Sequence, residues 1–128
     1  MANIETKRIL IVDDDKRIAE FLLEVLEGKG YDVKAVNCPN EAQIIITMES
    51  FDALLIDMCM PELSGENLIK SIIKFEEQYK GKIILMTGDV KGIDQMKNLS
   101  EIGIECVLLK PFSVDELIIT LEDLFAEK

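Results

Sequence analysis

Polar side chains that can bind a metal ion or a phosphoryl group follow four short apolar runs of the sequence. They stand directly after residues 9–12, 53–56, 83–86 and 106–109, and they are Asp13, Asp14, Asp15, Asp57, Thr87 and Lys110. If these runs are parallel strands of an open α/β sheet, their carboxyl ends lie along one edge, where such sheets bind ligands. Carboxylates, a hydroxyl and an ammonium at that edge suit a divalent cation and a phosphoryl group.

Three consecutive aspartates at one strand end are electrostatically unfavourable unless a cation lies nearby. Two carboxylates about 4 Å apart repel by roughly 4 kcal/mol at an effective dielectric constant of about 20. One aspartate suffices to cap the helix that follows, and Asp15 is the best placed to do so. We predict that Asp13 and Asp14 contribute to a metal site together with Asp57 from a neighbouring strand. The alternative is a set of capping or solvated acids.

Asp57 is the strongest candidate for a nucleophile, because carboxylates form acyl phosphates in phosphotransfer chemistry. Mg²⁺ would bind Asp14, Asp57, a backbone carbonyl just after Asp57, and water, since it keeps octahedral geometry and holds its water. The Thr87 hydroxyl is placed to hydrogen-bond a phosphoryl oxygen, although a β-branched residue is also ordinary in a strand. Lys110 ends an apolar strand, and we predict that it is the cationic partner of Asp57. Its bond to the following proline can be cis, as X-Pro bonds permit.

The composition excludes several kinds of chemistry. The chain has no histidine, so a Ser-His-Asp triad, a Cys-His dyad or a histidine zinc site cannot form within it, and metal chemistry must use carboxylates, which suit Mg²⁺. The net charge of −11 argues against direct binding to nucleic acid or to an anionic membrane surface. Three scattered cysteines indicate free thiols, and we see neither a signal sequence nor a long apolar span. We therefore expect a cytoplasmic protein without membrane insertion.

Short apolar runs alternate with segments of helical periodicity five times, which is typical of an α/β protein whose parallel sheet is covered on both faces. We predict a doubly wound five-stranded parallel sheet with five helices in one domain, residues 1–128, with its core at about 7–126. The predicted strands are 8–12, 32–36, 53–57, 82–86 and 105–109. Of the predicted helices, the first begins after Asp15, the second near Pro39 and the third before Leu68. The fourth covers about 93–101, and the fifth begins with a capping box at 113–116.

Two of these helices carry apolar stripes that we expect to face the core. The stripe of the first helix consists of Ile18, Phe21, Leu22, Val25 and Leu26. The stripe of the last helix consists of Val114, Leu117, Ile118, Leu121 and Phe125. Apolar residues at the stripe margins either belong to the core or contact a partner, and they are Met96, Ile119 and Leu124.

Several segments, taken together, resemble the receiver domain of bacterial two-component response regulators. They are Ile-Val-Asp-Asp-Asp at 11–15, Leu-Ile-Asp-Met-Cys-Met-Pro at 55–61 with Gly65, Met-Thr-Gly at 86–88 and Lys-Pro-Phe at 110–112. The resemblance covers essentially the whole chain and implies a flavodoxin-like receiver fold with strand order 2-1-3-4-5. It also implies a phosphoacceptor that receives its phosphoryl group from the phosphohistidine of a sensor kinase or phosphotransfer protein and then changes its contacts with an unknown downstream protein.

The same resemblance assigns roles to individual residues. Asp57 is the phosphoacceptor, while Thr87 and Lys110 hold the phosphoryl oxygens and convert modification into a change of shape. Mg²⁺ is bound directly by Asp14, by Asp57 and by the backbone carbonyl of Cys59. Asp13 contacts the ion mainly through water.

The sequence departs from the family pattern at Val107. The family usually has an aromatic residue three positions before the lysine, and that residue swings inward as the threonine moves. A valine cannot act as a large rotating gate, so we expect either no output through the usual face or output by helix shifts. The chain ends with its last predicted helix, which suggests a standalone receiver or a receiver cut from a larger protein.

We carry two alternatives to a phosphorylation-controlled switch. The first is a Mg²⁺-dependent phosphohydrolase of the haloacid dehalogenase type, but no late acidic pair follows Lys110 at a strand end. The second is a phosphate-independent interaction module with the receiver fold, against which the complete set of acids, threonine and lysine argues. We therefore expect a signalling domain that is phosphorylated and dephosphorylated, rather than a turnover enzyme.

Overall fold

Five strands and four helices make up the part of the chain that the computed structural model describes, namely residues 6–58, 65–75, 79, 82–88 and 104–126. In chain order they are β1 Arg8–Val12, α1 Lys16–Gly28, β2 Asp32–Val36, α2 Pro39–Met48, β3 Ala53–Asp57, α3 Gly65–Phe75, β4 Ile83–Thr87, β5 Ile104–Leu109 and α4 Val114–Ala126. The helix predicted near 93–101 lies outside the described residues.

The five strands form one parallel sheet in the order β2-β1-β3-β4-β5, which confirms the predicted order. The chain thus starts near the middle of the sheet, winds to one edge through β2 and then crosses to the other side. The order reverses between β1 and β3, so the ends of these two strands flank the crevice where doubly wound sheets bind ligands. The register slips once, where Ile83 pairs with Ile104 and Ile84 with Cys106.

The central strands are buried on both faces, which explains why they read as continuous apolar runs. One face of the sheet carries Leu10, Leu54 and Leu85 and packs against α2 and α3. The other face carries Ile11, Leu55 and Ile84 and packs against α1 and α4. Alternate residues of one strand therefore belong to different core clusters, as the two-residue period of a strand requires.

The helix caps follow from the local sequence. Ser113 and Glu116 form the predicted capping box: the Ser113 N–H donates to Glu116 Oε1 and the Glu116 N–H donates to Ser113 Oγ, both at 3.0 Å. Pro39 is the first residue of α2, where its missing N–H costs no helical hydrogen bond. Gly30 follows α1 at φ +97°, a conformation that favours glycine.

The expectation that Phe21 faces the core was wrong. Its side chain is 55% exposed, whereas Ala19, Leu22 and Leu26 supply the buried face of α1. The apolar stripe in the sequence is wider than the strip of helix that the sheet can cover, so the residue on the margin of the stripe points outward. The stripe of α4 is confirmed at Leu117, whose side chain is fully buried.

Arg8 lies at the amino end of the sheet and is the centre of a network of charged groups. Its guanidinium contacts Asp32 Oδ2 at 3.0 Å and Glu49 Oε1 at 2.6 Å, and it donates to the Ser50 carbonyl at 2.8 Å. The same guanidinium lies 4.8 Å from the centre of the Phe51 ring. Because Arg8 and Asp32 are partners in the parallel register of β1 and β2, this network joins the two strands to the end of α2.

Candidate functional site

Three aspartates converge at the carboxyl edge of the sheet. Asp13 and Asp14 follow β1 and Asp57 ends β3, and one carboxylate oxygen of each lies within 4.8 Å of the others. Asp13 is fully buried, Asp57 is 5% exposed and Asp14 is exposed. Because β1 and β3 are neighbours in the sheet, two sequence-distant strand ends bring these groups together, as predicted.

Backbone hydrogen bonds fix the position of Asp13. Its N–H donates to the Val36 carbonyl at 3.2 Å, which continues the pairing with β2 one residue past the end of β1. Its Oδ1 accepts the Asp15 N–H at 2.9 Å. Asp15 in turn caps α1, because its Oδ1 accepts the N–H groups of Arg17 and Ile18 at 3.0 and 3.4 Å. This confirms Asp15 as the capping residue and leaves the other two aspartates to the acidic cluster.

Lys110 supplies the positive charge of the cluster. Its Nζ lies 3.2 Å from Asp13 Oδ2 and 3.4 Å from Asp57 Oδ1. Its own N–H donates to the Thr87 carbonyl at 2.7 Å, which holds the end of β5 against β4, and its bond to Pro111 is cis. Burial alone lowers the pKa of Lys110, but the charges of Asp13 and Asp57 outweigh that effect and raise the pKa above its ordinary value. The lysine is therefore a permanent cation of this site.

Thr87 and Gly88 form the neighbouring strand end. Thr87 is the last residue of β4 and is 1% exposed. Gly88 is exposed, and a Cβ at its position would meet only Lys110 atoms, at an ordinary distance of 3.9 Å. The chain is thus uncrowded at this point, which leaves space beside Thr87 for a bound group.

The cluster suits a hard divalent cation. Three carboxylates and one ammonium meet in this cluster, so carboxylates outnumber ammonium groups among its described members. Mg²⁺ prefers carboxylate and water oxygens, and the exposed Asp14 leaves one side of the cluster open to water. Two carboxylates near one ammonium also provide a nucleophile with an adjacent positive charge that can stabilise transferred phosphoryl oxygens.

The structure brings together Asp13, Asp14, Asp57 and Lys110, and it places Thr87 at the adjoining strand end. Cys59, whose carbonyl was expected at the metal, lies outside the described residues. The sequence analysis did not predict the apolar groove of about 350 Å³ beside the cluster, to which Lys110 contributes one wall. The only signals for this groove were two aromatic residues close to site residues in the sequence, Phe21 and Phe112.

Val107 lies half-buried on β5, where it packs against the core cluster on the α2 and α3 face of the sheet. The side chain is thus placed as a small core residue. Of the residues expected at the stripe margins, Ile119 is 57% exposed and Leu124 packs against the core, while Met96 lies outside the described residues.

The fold and the site define a doubly wound α/β protein with an acidic, lysine-bearing ligand site at its strand-order reversal. The family model described as "Response regulator receiver domain" matches residues 9–122, and the chain belongs to this family.

Three solved structures illustrate the similarity. The chemotaxis response regulator CheY4 of Vibrio cholerae is 26% identical with a TM-score of 0.83, over 94% of this chain and 99% of that one. A putative response regulator from Chloroflexus aurantiacus is 31% identical with a TM-score of 0.82, over 96% and 100%. The response regulator TrrA from Thermotoga maritima, in complex with Mg²⁺-BeF, is 31% identical with a TM-score of 0.79, over 93% and 99%.

Membership of the family establishes the general function. Receiver domains are the phosphoacceptors of two-component signalling, they interact with histidine kinases or phosphotransfer proteins, and they bind Mg²⁺ at their acidic site. They are signalling domains rather than typical turnover enzymes. Among the helices that the structure describes, none has the length and apolar character needed to span a membrane.

Proposed function

We propose that Asp57 accepts the phosphoryl group in this chain and that Asp13, Asp14, Thr87 and Lys110 complete the reactive site. The observation that carries this proposal is the surroundings of Asp57: the carboxylate is almost fully buried, yet it lies within 3.4 Å of an ammonium and beside two further carboxylates. An aspartate that is simply solvated at a strand end would be exposed to water, and it would not be buried among other charged groups.

In the proposed reaction, a carboxylate oxygen of Asp57 attacks the phosphorus of a phosphohistidine on a sensor kinase or phosphotransfer protein. A new O–P bond forms, the P–N bond breaks, and the donor imidazole leaves with the bonding electron pair. Lys110 neutralises charge on the phosphoryl oxygens from its position next to Asp57, and the Thr87 hydroxyl donates a hydrogen bond to one of them. The product is an aspartyl phosphate, which places about −1.5 to −2 charges at the edge of the sheet.

The existing contacts of the carboxylates are the basis for assigning direct and water-mediated Mg²⁺ ligands. Both oxygens of Asp13 are already engaged, one by the Asp15 N–H and the other by Lys110. Asp14 is exposed, so we assign it and Asp57 as direct ligands and Asp13 as a ligand through water, with the Cys59 carbonyl as a further ligand on the family pattern. When bound, Mg²⁺ would neutralise charge shared by the carboxylate and the incoming phosphoryl group.

We also propose that this reaction takes place in the cytoplasm. The two cysteines that the structure describes, Cys38 and Cys106, are both unpaired, which is usual in a reducing compartment. Burial, followed by the charges of Glu105 and Asp123, raises the pKa of the Cys106 thiol to about 11, so this cysteine is expected to be an unreactive part of the structure.

Intact mass spectrometry after incubation with acetyl phosphate tests the assignment. We expect one added phosphoryl group on the wild type in the presence of Mg²⁺, none without Mg²⁺, and none on Asp57→Asn. Phosphate retained on Asp57→Asn would move the acceptor to another residue. No adduct on the wild type after a fast quench, together with no binding of beryllium fluoride, would instead favour a phosphate-independent interaction module.

A further inference from the structure

Asp15 connects the acidic cluster to the first helix. It is half-buried, follows Asp13 and Asp14 directly and precedes the first residue of α1. The three carboxylates whose oxygens lie within 4.8 Å of one another belong to Asp13, Asp14 and Asp57. The geometry of Asp15 can therefore influence a bound cation only through one of these residues.

The hydrogen bonds of Asp15 point in two directions. On the helix side, its Oδ1 accepts the N–H groups of Arg17 and Ile18 at 3.0 and 3.4 Å, and its carbonyl accepts the Ala19 N–H at 3.0 Å. On the cluster side, its own N–H donates to Asp13 Oδ1 at 2.9 Å. The contacts on the helix side hold the Asp15 backbone in an extended conformation, at φ −87° and ψ 104°. The cap of α1 thus fixes the direction of the N–H that meets Asp13.

Asp13 takes its orientation from that N–H. Its carboxylate is fully buried, and its Oδ2 lies 3.2 Å from the Nζ of Lys110, at the end of a long flexible side chain. The contact with the Asp15 N–H is shorter, at 2.9 Å, and comes from the main chain, so it is the more rigid of the two. A carboxylate oxygen accepts more than one hydrogen bond, and both oxygens can still accept one from metal-bound water.

We propose that Asp15 is a positioning residue for Mg²⁺: by capping α1 it fixes the N–H that orients Asp13, and it strengthens binding of the ion without contacting it. This inference rests on the proposed function, which makes the acidic cluster the Mg²⁺ site. Coupling between two events is reciprocal, so a cap that favours metal binding is itself favoured by the metal. Bound Mg²⁺ should therefore stabilise the first turn of α1.

Neutral variants of Asp15 separate the cap from the charge. Asparagine and serine cap a helix about as well as aspartate, whereas alanine does not cap it. Because all three changes remove the same negative charge, a difference in Mg²⁺ affinity among them reports the cap. We expect Asp15→Ala to bind Mg²⁺ about fivefold more weakly than Asp15→Asn, short of the roughly 10- to 100-fold lost with an orienting partner, because the N–H is loosened and not removed. Asp15→Ser should match Asp15→Asn, and isothermal titration calorimetry measures all three.

The capping box of α4 supplies a matched control for stability. The helices α1 and α4 both have 13 residues, and Ser113 Oγ accepts the Glu116 N–H at 3.0 Å, so Ser113→Ala also removes a side-chain cap. Urea denaturation in EDTA should show a similar loss of stability for Asp15→Ala relative to Asp15→Asn and for Ser113→Ala relative to the wild type. Mg²⁺ affinity should fall only in the first comparison.

Hydrogen exchange in the wild type tests the reverse direction of the coupling without any substitution. Saturating Mg²⁺ should slow exchange of the Arg17 and Ile18 N–H groups about fivefold, the factor by which the cap favours the metal. The Glu116 N–H, which Ser113 caps, should exchange at the same rate with and without Mg²⁺. Because NMR follows these amides in the wild type, the result decides the question even where Asp15→Ala is too unstable to fold.

The outcomes separate this inference from the proposed function. Equal Mg²⁺ affinity in Asp15→Ala and Asp15→Asn would overturn it, and so would an equal loss of affinity in Ser113→Ala. Exchange at Arg17 and Ile18 that Mg²⁺ does not slow, while calorimetry shows the ion bound, would overturn it and leave the proposed function standing. No binding of Mg²⁺ by the wild type at millimolar concentrations would overturn the proposed metal site and this inference together.

Discussion

The two ends of the parallel sheet carry charged clusters with opposite charge balance. At the carboxyl end, three carboxylates meet one ammonium, and the two contacts of Lys110 with Asp13 and Asp57 are long, at 3.2 and 3.4 Å. Two of the four charged side chains in this cluster, Asp13 and Asp57, are almost fully buried. Bringing these acids together in a buried site is therefore electrostatically costly, and Lys110 offsets part of that cost.

The amino end is balanced. Arg8 and Lys34 face Asp32 and Glu49, and the three ion pairs that join them are 2.6 to 3.0 Å long. The Arg8 N–H also donates to Asp52 Oδ2 at 2.8 Å, so the main chain takes part in the same network. Each of the four side chains Arg8, Lys34, Asp32 and Glu49 has a partner of opposite sign, and their charges balance without a ligand.

The difference between the two ends shows that one sheet can stabilise the fold at its amino end and carry a ligand site at its carboxyl end. Complete charge pairing at the amino end stabilises the fold, whereas the excess of carboxylates over ammonium groups at the carboxyl end suits the cation and the phosphoryl group proposed for it. Substitutions at the two ends should consequently differ in one respect above all: effects at the carboxyl end should depend on Mg²⁺, and effects at the amino end should not.

The largest effect is expected for Lys110→Met in the absence of metal. This change keeps most of the apolar stem but leaves Asp13 and Asp57 without their ammonium, and it should lower the free energy of unfolding by about 2 kcal/mol. Saturating Mg²⁺ should restore most of the loss, because the ion replaces the missing positive charge. Urea denaturation in EDTA and in Mg²⁺ measures this, with Lys29→Met, an exposed lysine at the end of α1, as control. An equal loss in both buffers would show that these carboxylates do not bind the ion.

A smaller effect, on metal affinity, is expected for Asp14→Asn. We expect Mg²⁺ affinity to fall at least about tenfold, because even residues that merely orient metal ligands typically contribute about 10- to 100-fold. Isothermal titration calorimetry on the wild type and the variant measures the change. Asp123→Asn alters the net charge equally at an exposed position on α4 and should bind Mg²⁺ like the wild type. If both variants lose the same affinity, the effect comes from overall charge and not from ligation.

Arg8→Met is expected to cost about 1 kcal/mol of unfolding free energy, since the pairs that it breaks are partly exposed and solvent screens them. The loss should be the same with and without Mg²⁺, which is the converse of the result expected for Lys110→Met. Urea denaturation in the same two buffers provides the comparison. A loss that Mg²⁺ reverses would mean that the two ends of the sheet are coupled.

Sequence patterns predicted the carboxyl end better than the amino end, for a physical reason. Parallel strands place their ends at one edge, so polar residues after apolar runs identify a site without any knowledge of side-chain contacts. The Arg8 network depends instead on the register of β1 against β2 and on where α2 ends, neither of which a one-dimensional pattern encodes. Strand bounds were predicted to within one residue, as at β4, where 82–86 was expected and Ile83–Thr87 is found.

The groove shows a second limit of prediction. Periodicity placed Phe21 on the core stripe of α1, but the width of the sheet decides how much of a helix is covered. Whether the uncovered margin meets another apolar segment depends on the path of residues 110–112, which only the folded chain determines. A site made of strand ends can thus be predicted from sequence, whereas a surface between two elements has to be observed.

The smallest expected effect is on the pH dependence of stability, through Glu49 at the amino end of the sheet. Hydrogen bonds from Arg8, followed by those from Lys34, hold the pKa of the Glu49 carboxyl below its ordinary value of 4.5. A carboxyl with a depressed pKa stabilises the fold at every pH above its unfolded pKa and loses that contribution as pH falls through its folded pKa. Glu49→Gln should therefore be less stable than the wild type at pH 7, and the difference should shrink below about pH 4.5. Urea denaturation across this range measures the difference, with Glu24→Gln on the exposed face of α1 as control. A difference between Glu49→Gln and the wild type that stays constant with pH would mean that packing, and not charge, makes Glu49 stabilising.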